Sequence, residues 1–163
     1  MTRSNAFNDA LSERGEAITN LRLTDFHDTG PLFKPAFLGE KWPAVDFFVQ
    51  LERVNDRSLF FLAQVKTTRG LRDGKLQIVV SRDKVVALTA YPVPTYFIGV
   101  DEQTEIAYLV SMGQKRTGFS EMTAAFPMNA ENRQRLWKEV HDFWTGRTHP
   151  TDSQFVDPKW RNS

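Results

Sequence analysis

Apolar residues recur at helical spacing near the start of the chain. Phe7, Ala10, Leu11, Ala17, Ile18 and Leu21 form a stripe interrupted by Arg14, which predicts an amphipathic helix over residues 4–23 with Ser4 as its N-cap. Gly15 inside that stretch weakens a helix by up to ~1 kcal/mol against alanine. From 25 to 43 the prolines at 31, 35 and 43 and the glycines at 30 and 39 predict an irregular loop. The period then changes to two: Val45, Phe47, Val49 and Leu51 alternate with Asp46, Phe48, Gln50 and Glu52, a strand. A polar turn over 53–58 leads to a second strand over 59–68. A basic loop over 67–74 precedes a short strand over 75–81. A helix over 82–91 is ended by Pro92 and Pro94, and a hairpin of strands 95–100 and 106–112 follows. The last element is a helix from 130 to 145 with Leu136, Trp137, Val140, Phe143 and Trp144 on one face, Asn129 as cap and Gly146 as stop. Residues 146–163 read as a loop or draped tail.

This order predicts an α/β (α+β) fold, a mixed central β-sheet flanked by helices, in a single domain over 1–163 with its core at about 4–145. The 163 residues suffice for a core without covalent staples. The absence of cysteine excludes disulfides, thiolate metal centres and a cysteine nucleophile. With 21 basic and 20 acidic residues the net charge is +1, so any attraction to nucleic acid must come from a local basic face. No secretory leader or membrane-length apolar run is visible, and a cytoplasmic protein is the expectation.

The chemistry concentrates on the first hairpin. With Glu52 facing Leu59, Asp46 falls opposite Val65, and Gln64 and Lys66, two apart, are expected to share its face between Phe48, Phe60 and Leu62. A slip of one residue in this register is expected to break the cluster. Two readings stand on strand geometry alone. One is a cross-strand ion pair of Asp46 with Lys66 on a solvated face. The other is a site for a hard divalent cation, with oxygens from Asp46, Gln64 and a further acid, and with Lys66 stabilising an anion. Mg²⁺, or Mn²⁺ in its place, suits such an oxygen-only, partly hydrated shell.

The segment AVDFFVQLERVNDRSLFFLAQVKTT resembles the D…QxK hairpin of the PD-(D/E)XK (restriction-endonuclease-like) nuclease superfamily, in particular an uncharacterised bacterial branch and the Mrr-type defence nucleases. The Gly15-Glu16 helix upstream is similar to that family's first helix, and YPVPTYFIGVD through EIAYLV to its later helix and hairpin. The resemblance covers roughly residues 12–112 and implies an αβββαβ core. It implies that Asp46, Gln64, the Val65 carbonyl and a helix glutamate hold the metal, and that Lys66 orients the attacking water or stabilises the transition state. Gln64 stands where the family usually has an acid, so the site carries one anion fewer. Glu16 has the family's Gly-Glu context. On a continuous helix, however, Glu13 flanks the apolar stripe while Glu16 points away from it.

The implied activity is metal-dependent hydrolysis of DNA phosphodiesters, in phage defence or restriction, by a homodimer or with defence-system partner proteins. Arg69, Arg72 and Lys75 read either as a solvated basic loop or, beside a nuclease-like site, as residues placed to hold phosphates. Trp42 either packs or stacks on a base, and His27 is a lesser metal-ligand candidate. His141 has no triad partners. The rival expectations are a catalytically silent nuclease fold serving as a binding or regulatory module, and a small interaction protein with a surface ion pair.

Overall fold

A computed structural model describes residues 2–55, 58–113, 115, 117–147 and 152–160. Its elements in chain order are α1 (Thr2–Thr24), β1 (Phe26–His27), β2 (Gly30–Pro31), β3 (Phe33–Trp42), β4 (Val45–Leu51), β5 (Phe60–Thr68), β6 (Lys75–Leu76), α2 (Arg82–Thr89), β7 (Thr95–Asp101), β8 (Ile106–Ser111), β9 (Met122–Thr123), α3 (Ala130–Trp144) and a 3-10 turn at Pro158–Trp160. The fold is α+β around a mixed five-stranded sheet of order β3-β4-β5-β7-β8. Among the described strands only the β5–β7 pair is parallel, because α2 carries the chain across between them. The main elements run helix, three strands, helix, strand, the order implied by the resemblance, with β8 added.

Two of the three leading strands, β4 and β5, are the expected ones; the third is not. Residues 33–42 form an edge strand, β3, instead of a loop. An edge strand leaves some N–H groups outside the ladder, so Pro35 is tolerated there. A register shift between Phe37 and Trp42 absorbs Gly39. The expected strand over 75–81 shrinks to β6, which pairs with β9 outside the main sheet. Leu76, Ile78 and Val80 are buried in alternation while Val79 is 77% exposed, so the period-two pattern reports packing without a full ladder.

Each face of the sheet covers its own core. Ile18 and Leu23 of α1 and Leu136 and Val140 of α3 pack with Phe47, Val49, Phe61, Ala63 and Ile98 on one face. Val85 and Leu88 of α2 pack with Leu62, Phe97 and Val110 on the other. The indole N–H groups of Trp137 and Trp144 fasten α3 to the first hairpin by donating to the carbonyls of Glu52 and Phe60, at 2.9 and 2.8 Å. The tail contributes to both cores through Phe155 and Trp160, so the core does not end at 145.

Helix α1 is continuous through Gly15 and starts at Thr2, ahead of the expected Ser4 cap. Its buried face is not the expected stripe: Phe7 and Leu21 are 51% and 55% exposed, while Gly15, Ile18, Thr19 and Leu23 are buried. The helix is turned so that Gly15 meets the sheet, and a Cβ there would lie 1.7 Å from Thr67 Oγ1 and 2.9 Å from Thr67 Cβ.

Asp101 anchors the far end of β7. It accepts hydrogen bonds from the Gly70 and Gln103 N–H groups and the Thr104 hydroxyl, at 2.8, 3.1 and 2.8 Å. Burial pushes its pKa up, but these donors outweigh burial and hold it below the ordinary aspartate value. Because the folded-state pKa is depressed, this stabilisation is present above the unfolded-state pKa and is lost as pH falls through the folded one. Urea titrations at pH 7 and pH 3 should therefore show a smaller acid loss in Asp101→Asn than in the parent. The variant itself should be about 1–3 kcal/mol less stable at neutral pH.

Candidate functional site

The β4–β5 ladder pairs Gln50 with Phe60, Phe48 with Leu62 and Phe47 with Ala63. Continuing it sets Asp46 across from Gln64, one residue away from the expected pairing with Val65. Directly opposed residues of an antiparallel pair share a face. The slip therefore unites Asp46 with Gln64 rather than breaking the cluster; the expected register would have placed them on opposite faces.

Beyond Phe47 the two strands part, and the Asp46 side chain replaces the ladder. Its Oδ2 accepts the Val65 N–H at 2.8 Å and the Gln64 amide N–H at 2.7 Å. Gln64 Nε2 also donates to the Val65 carbonyl at 3.1 Å, so one amide nitrogen bridges the carboxylate and the carbonyl. Phe48 stacks on Phe60 at 4.6 Å beside this group and keeps its flank apolar.

No direct Asp46–Lys66 ion pair forms among the described residues; the carboxylate spends its near contacts on Gln64 and Val65. Burial pushes the Asp46 pKa up, opposed by the Val65 N–H and by the charges of Lys84 and Lys66. Lys84, at the start of α2, was not among the expected site residues. Its pKa is lowered by burial and by the Lys66 charge, with Asp46 pulling the other way. Two ammonium groups, from β5 and from α2, thus face the region of one carboxylate. A lone lysine in a short, weakly amphipathic helix gives no sequence signal, since only the packing of α2 on this face of the sheet brings it near.

Glu16 and Glu13 separate clearly. Glu13 is exposed, whereas Glu16 is half-buried with its pKa raised by burial and then by the charges of Asp46 and Glu13. The helix is unbroken, yet Glu16 is the glutamate that senses Asp46, because Gly15 and not the apolar stripe sets the face turned to the sheet.

The three basic residues after β5 are dispersed. Arg69 pairs with Glu102 at 3.0 Å and lies over the Phe7 ring, and Lys75 pairs with Glu121 at 3.2 Å. Arg72 is exposed, its backbone joined to Lys75 in a tight turn, and has no ion pair among the described residues. Exposed pairs of this kind are worth about 0–1 kcal/mol, so an incoming phosphate can compete for the cations.

Trp42 both packs and stays open. It is 42% exposed, stacks on Tyr91 at 6.1 Å, and pairs with Val45, the neighbour of Asp46. The turn between them has Pro43 at one corner and Ala44 at φ +61°, while the Tyr91 hydroxyl donates to the Pro43 carbonyl at 2.8 Å. His27 and His141 are elsewhere. The His27 carbonyl accepts from Arg53, beyond the opposite end of β4, and His141 stacks on Trp137. Five strand residues, Phe47–Leu51, lie between Asp46 and Arg53, roughly 17 Å of strand.

Among the described residues no group of three or more His, Asp or Glu side chains is placed to hold a metal ion. A cation here would rest on Asp46 and Glu16, with neutral oxygens from the Val65 carbonyl and Gln64, and water completing the shell. The donors fit that use. The two carboxyls, both pushed up in pKa, gain from a positive charge between them, and the Gln64 amide exchanges nitrogen for oxygen by rotating about its last bond. No family model, curated protein or solved structure matches the chain.

Proposed function

We infer that the protein is a divalent-metal-dependent nuclease acting on DNA. The observation that carries this reading is the convergence of Asp46, the Val65 carbonyl, Gln64 and Lys66 where β4 and β5 part, with Lys84 and Glu16 delivered from helices on either side of the sheet. Mg²⁺ or Mn²⁺ held by Asp46, Glu16, the Val65 carbonyl and Gln64 would polarise a phosphoryl group and lower the pKa of a bound water. Lys66 and Lys84 set positive charge where negative charge grows on the phosphate in the transition state. Arg72 offers a backbone-phosphate contact outside the site, and Trp42 a face for a base. Among the described residues no helix is long and apolar enough to cross a membrane. A cytoplasmic setting in phage defence or restriction rests on the resemblance of the hairpin alone.

Metal binding requires both carboxylates ionised, and both have raised pKa values. A carboxyl whose folded-state pKa is raised contributes stability below its unfolded-state value and loses it as pH rises through the folded one. The metal-free fold is therefore under electrostatic stress at neutral pH, which the cation relieves. Mg²⁺ at ten times its Kd should stabilise the protein by about 1.4 kcal/mol by mass action. Calorimetric melting should show that gain in the parent and none in Asp46→Asn, with the gain fading on acidification at a higher pH than unperturbed carboxylates would give. Equal Mg²⁺ responses in the two proteins would remove Asp46 from metal binding.

One observation favours a second reading, a nuclease fold used as a binding or regulatory module. The Gln64 amide nitrogen already satisfies both the Asp46 carboxylate and the Val65 carbonyl, the two oxygens a cation needs. On that reading DNA binding persists in EDTA, and no cleavage appears with Mg²⁺ or Mn²⁺.

A further inference from the structure

Three buried side-chain donors have no hydrogen-bond partner among the described residues: Thr19 Oγ1, Arg22 Nε and Arg133 Nε. Arg22 and Arg133 share one region around Asp25, and Thr19 lies on α1 between Arg22 and Glu16. Thr19 and Arg22 lie about one turn apart on α1. Arg22 and Arg133 flank Asp25, with Nη1 to Oδ2 distances of 3.5 and 3.6 Å. At that range Asp25 supplies charge but no good hydrogen bond. Arg133 is 7% exposed, and its one short bond runs from Nη1 to the Met128 carbonyl at 2.7 Å. A guanidinium so deeply placed with an idle donor is costly unless something else completes it.

A cavity of about 350 Å³ opens beside the pair, lined by Arg22, Asp25 and Arg133 together with Ile106, Pro127 and Met128. Glu105, the other acid on its lining, is engaged by Arg14 at 3.2 Å, so two guanidiniums face one available carboxylate. The N-terminal end of α3 borders the same space through Asn129 and Ala130, and its dipole adds to the positive potential. A guanidinium carries several N–H donors in one plane and grips a carboxylate or phosphate through two parallel bonds.

We propose that this cavity binds a small oxyanion, a phosphate or carboxylate group, between Arg22 and Arg133, with any apolar portion of the ligand against Ile106, Pro127 and Met128. The site is independent of the nuclease reading. Isothermal titration of the full chain with inorganic phosphate, with acetate and with chloride at matched ionic strength tests it. Saturable one-to-one binding of phosphate or acetate beyond the chloride response is expected, the tighter of the two identifying the group the site takes. Arg22→Met should weaken that binding roughly tenfold or more, the loss of one charge-assisted interaction. Arg133→Met should do the same if it folds; Arg22 is half-buried and its variant carries the test if Arg133→Met does not fold. Phosphate and acetate responses no greater than that of chloride, or unchanged binding in Arg22→Met, would overturn the proposal and leave a water-filled cavity.

Discussion

Lys66→Ala should lower the rate of Mg²⁺-dependent DNA cleavage by about 10²–10³-fold, the usual cost of removing one donor aimed at developing negative charge. The expectation follows from where Lys66 sits. It stands on the same strand face as Gln64, and its charge is felt by both Asp46 and Lys84. Since no ion pair ties it down among the described residues, its removal leaves no acid exposed by the loss of a partner, and the fold should be little affected. Lys84→Gln tests whether the second ammonium shares the task. A smaller loss than in Lys66→Ala, with a further drop in the double variant, is expected if both face the same phosphate. Cleavage of supercoiled plasmid in Mg²⁺ and in Mn²⁺, with melting curves on every variant, measures both effects. Activity that survives intact in Lys66→Ala and in Asp46→Ala would place the chemistry elsewhere.

Gly15→Ala should destabilise the protein by about 1–3 kcal/mol, the usual range for overpacking a filled interior. The sign is the informative part, because the same change inside an exposed helix stabilises by up to ~1 kcal/mol. Here the new methyl would lie 1.7 Å from Thr67 Oγ1, 2.9 Å from Thr67 Cβ and 3.1 Å from Thr67 Cγ2. Rotating the threonine moves Oγ1 and Cγ2 but not Cβ, so α1 itself has to shift. That shift displaces Glu16, the next residue, from Asp46, and a loss of metal response beyond the loss of stability should accompany it. The double variant Gly15→Ala, Thr67→Ala removes the two outer contacts and should recover part of the stability. Denaturant titration with and without Mg²⁺ separates the two losses.

Much of the sheet was legible because its inner strands carry unambiguous patterns. The alternation from Val45 to Leu51 and the apolar run from Phe60 onward place both strands nearly where they occur. The edge strand β3 was not legible, since Pro35 and Gly39 are punctuation in a loop but tolerable at an edge where part of the backbone lies outside the ladder. The site residues Asp46, Gln64 and Lys66 are visible in the sequence as types, but the register that unites Asp46 with Gln64 is one residue from the expected one. Turn geometry decides register, and the turn of this hairpin includes residues 56 and 57, which lie outside those described. The helix glutamate could not be chosen from a helical wheel, because a wheel weighs apolar side chains and gives no weight to a glycine. On α1 the glycine lies directly against Thr67 of β5, leaving no room for a side chain. Lys84 was missed for a related reason: its role depends on the packing of α2 above β5, a long-range contact with no local signature.

The central claim is that a cation is held where the Gln64 amide nitrogen now bridges Asp46 and Val65. A crystal structure of the protein grown in millimolar Mn²⁺, with data collected at the manganese edge, tests it most directly. The account predicts an anomalous peak within coordination distance of the Asp46 carboxylate and the Val65 carbonyl, with the Gln64 amide turned to present its oxygen. An unaltered Asp46–Gln64–Val65 hydrogen-bond bridge with no anomalous signal beside it would contradict it.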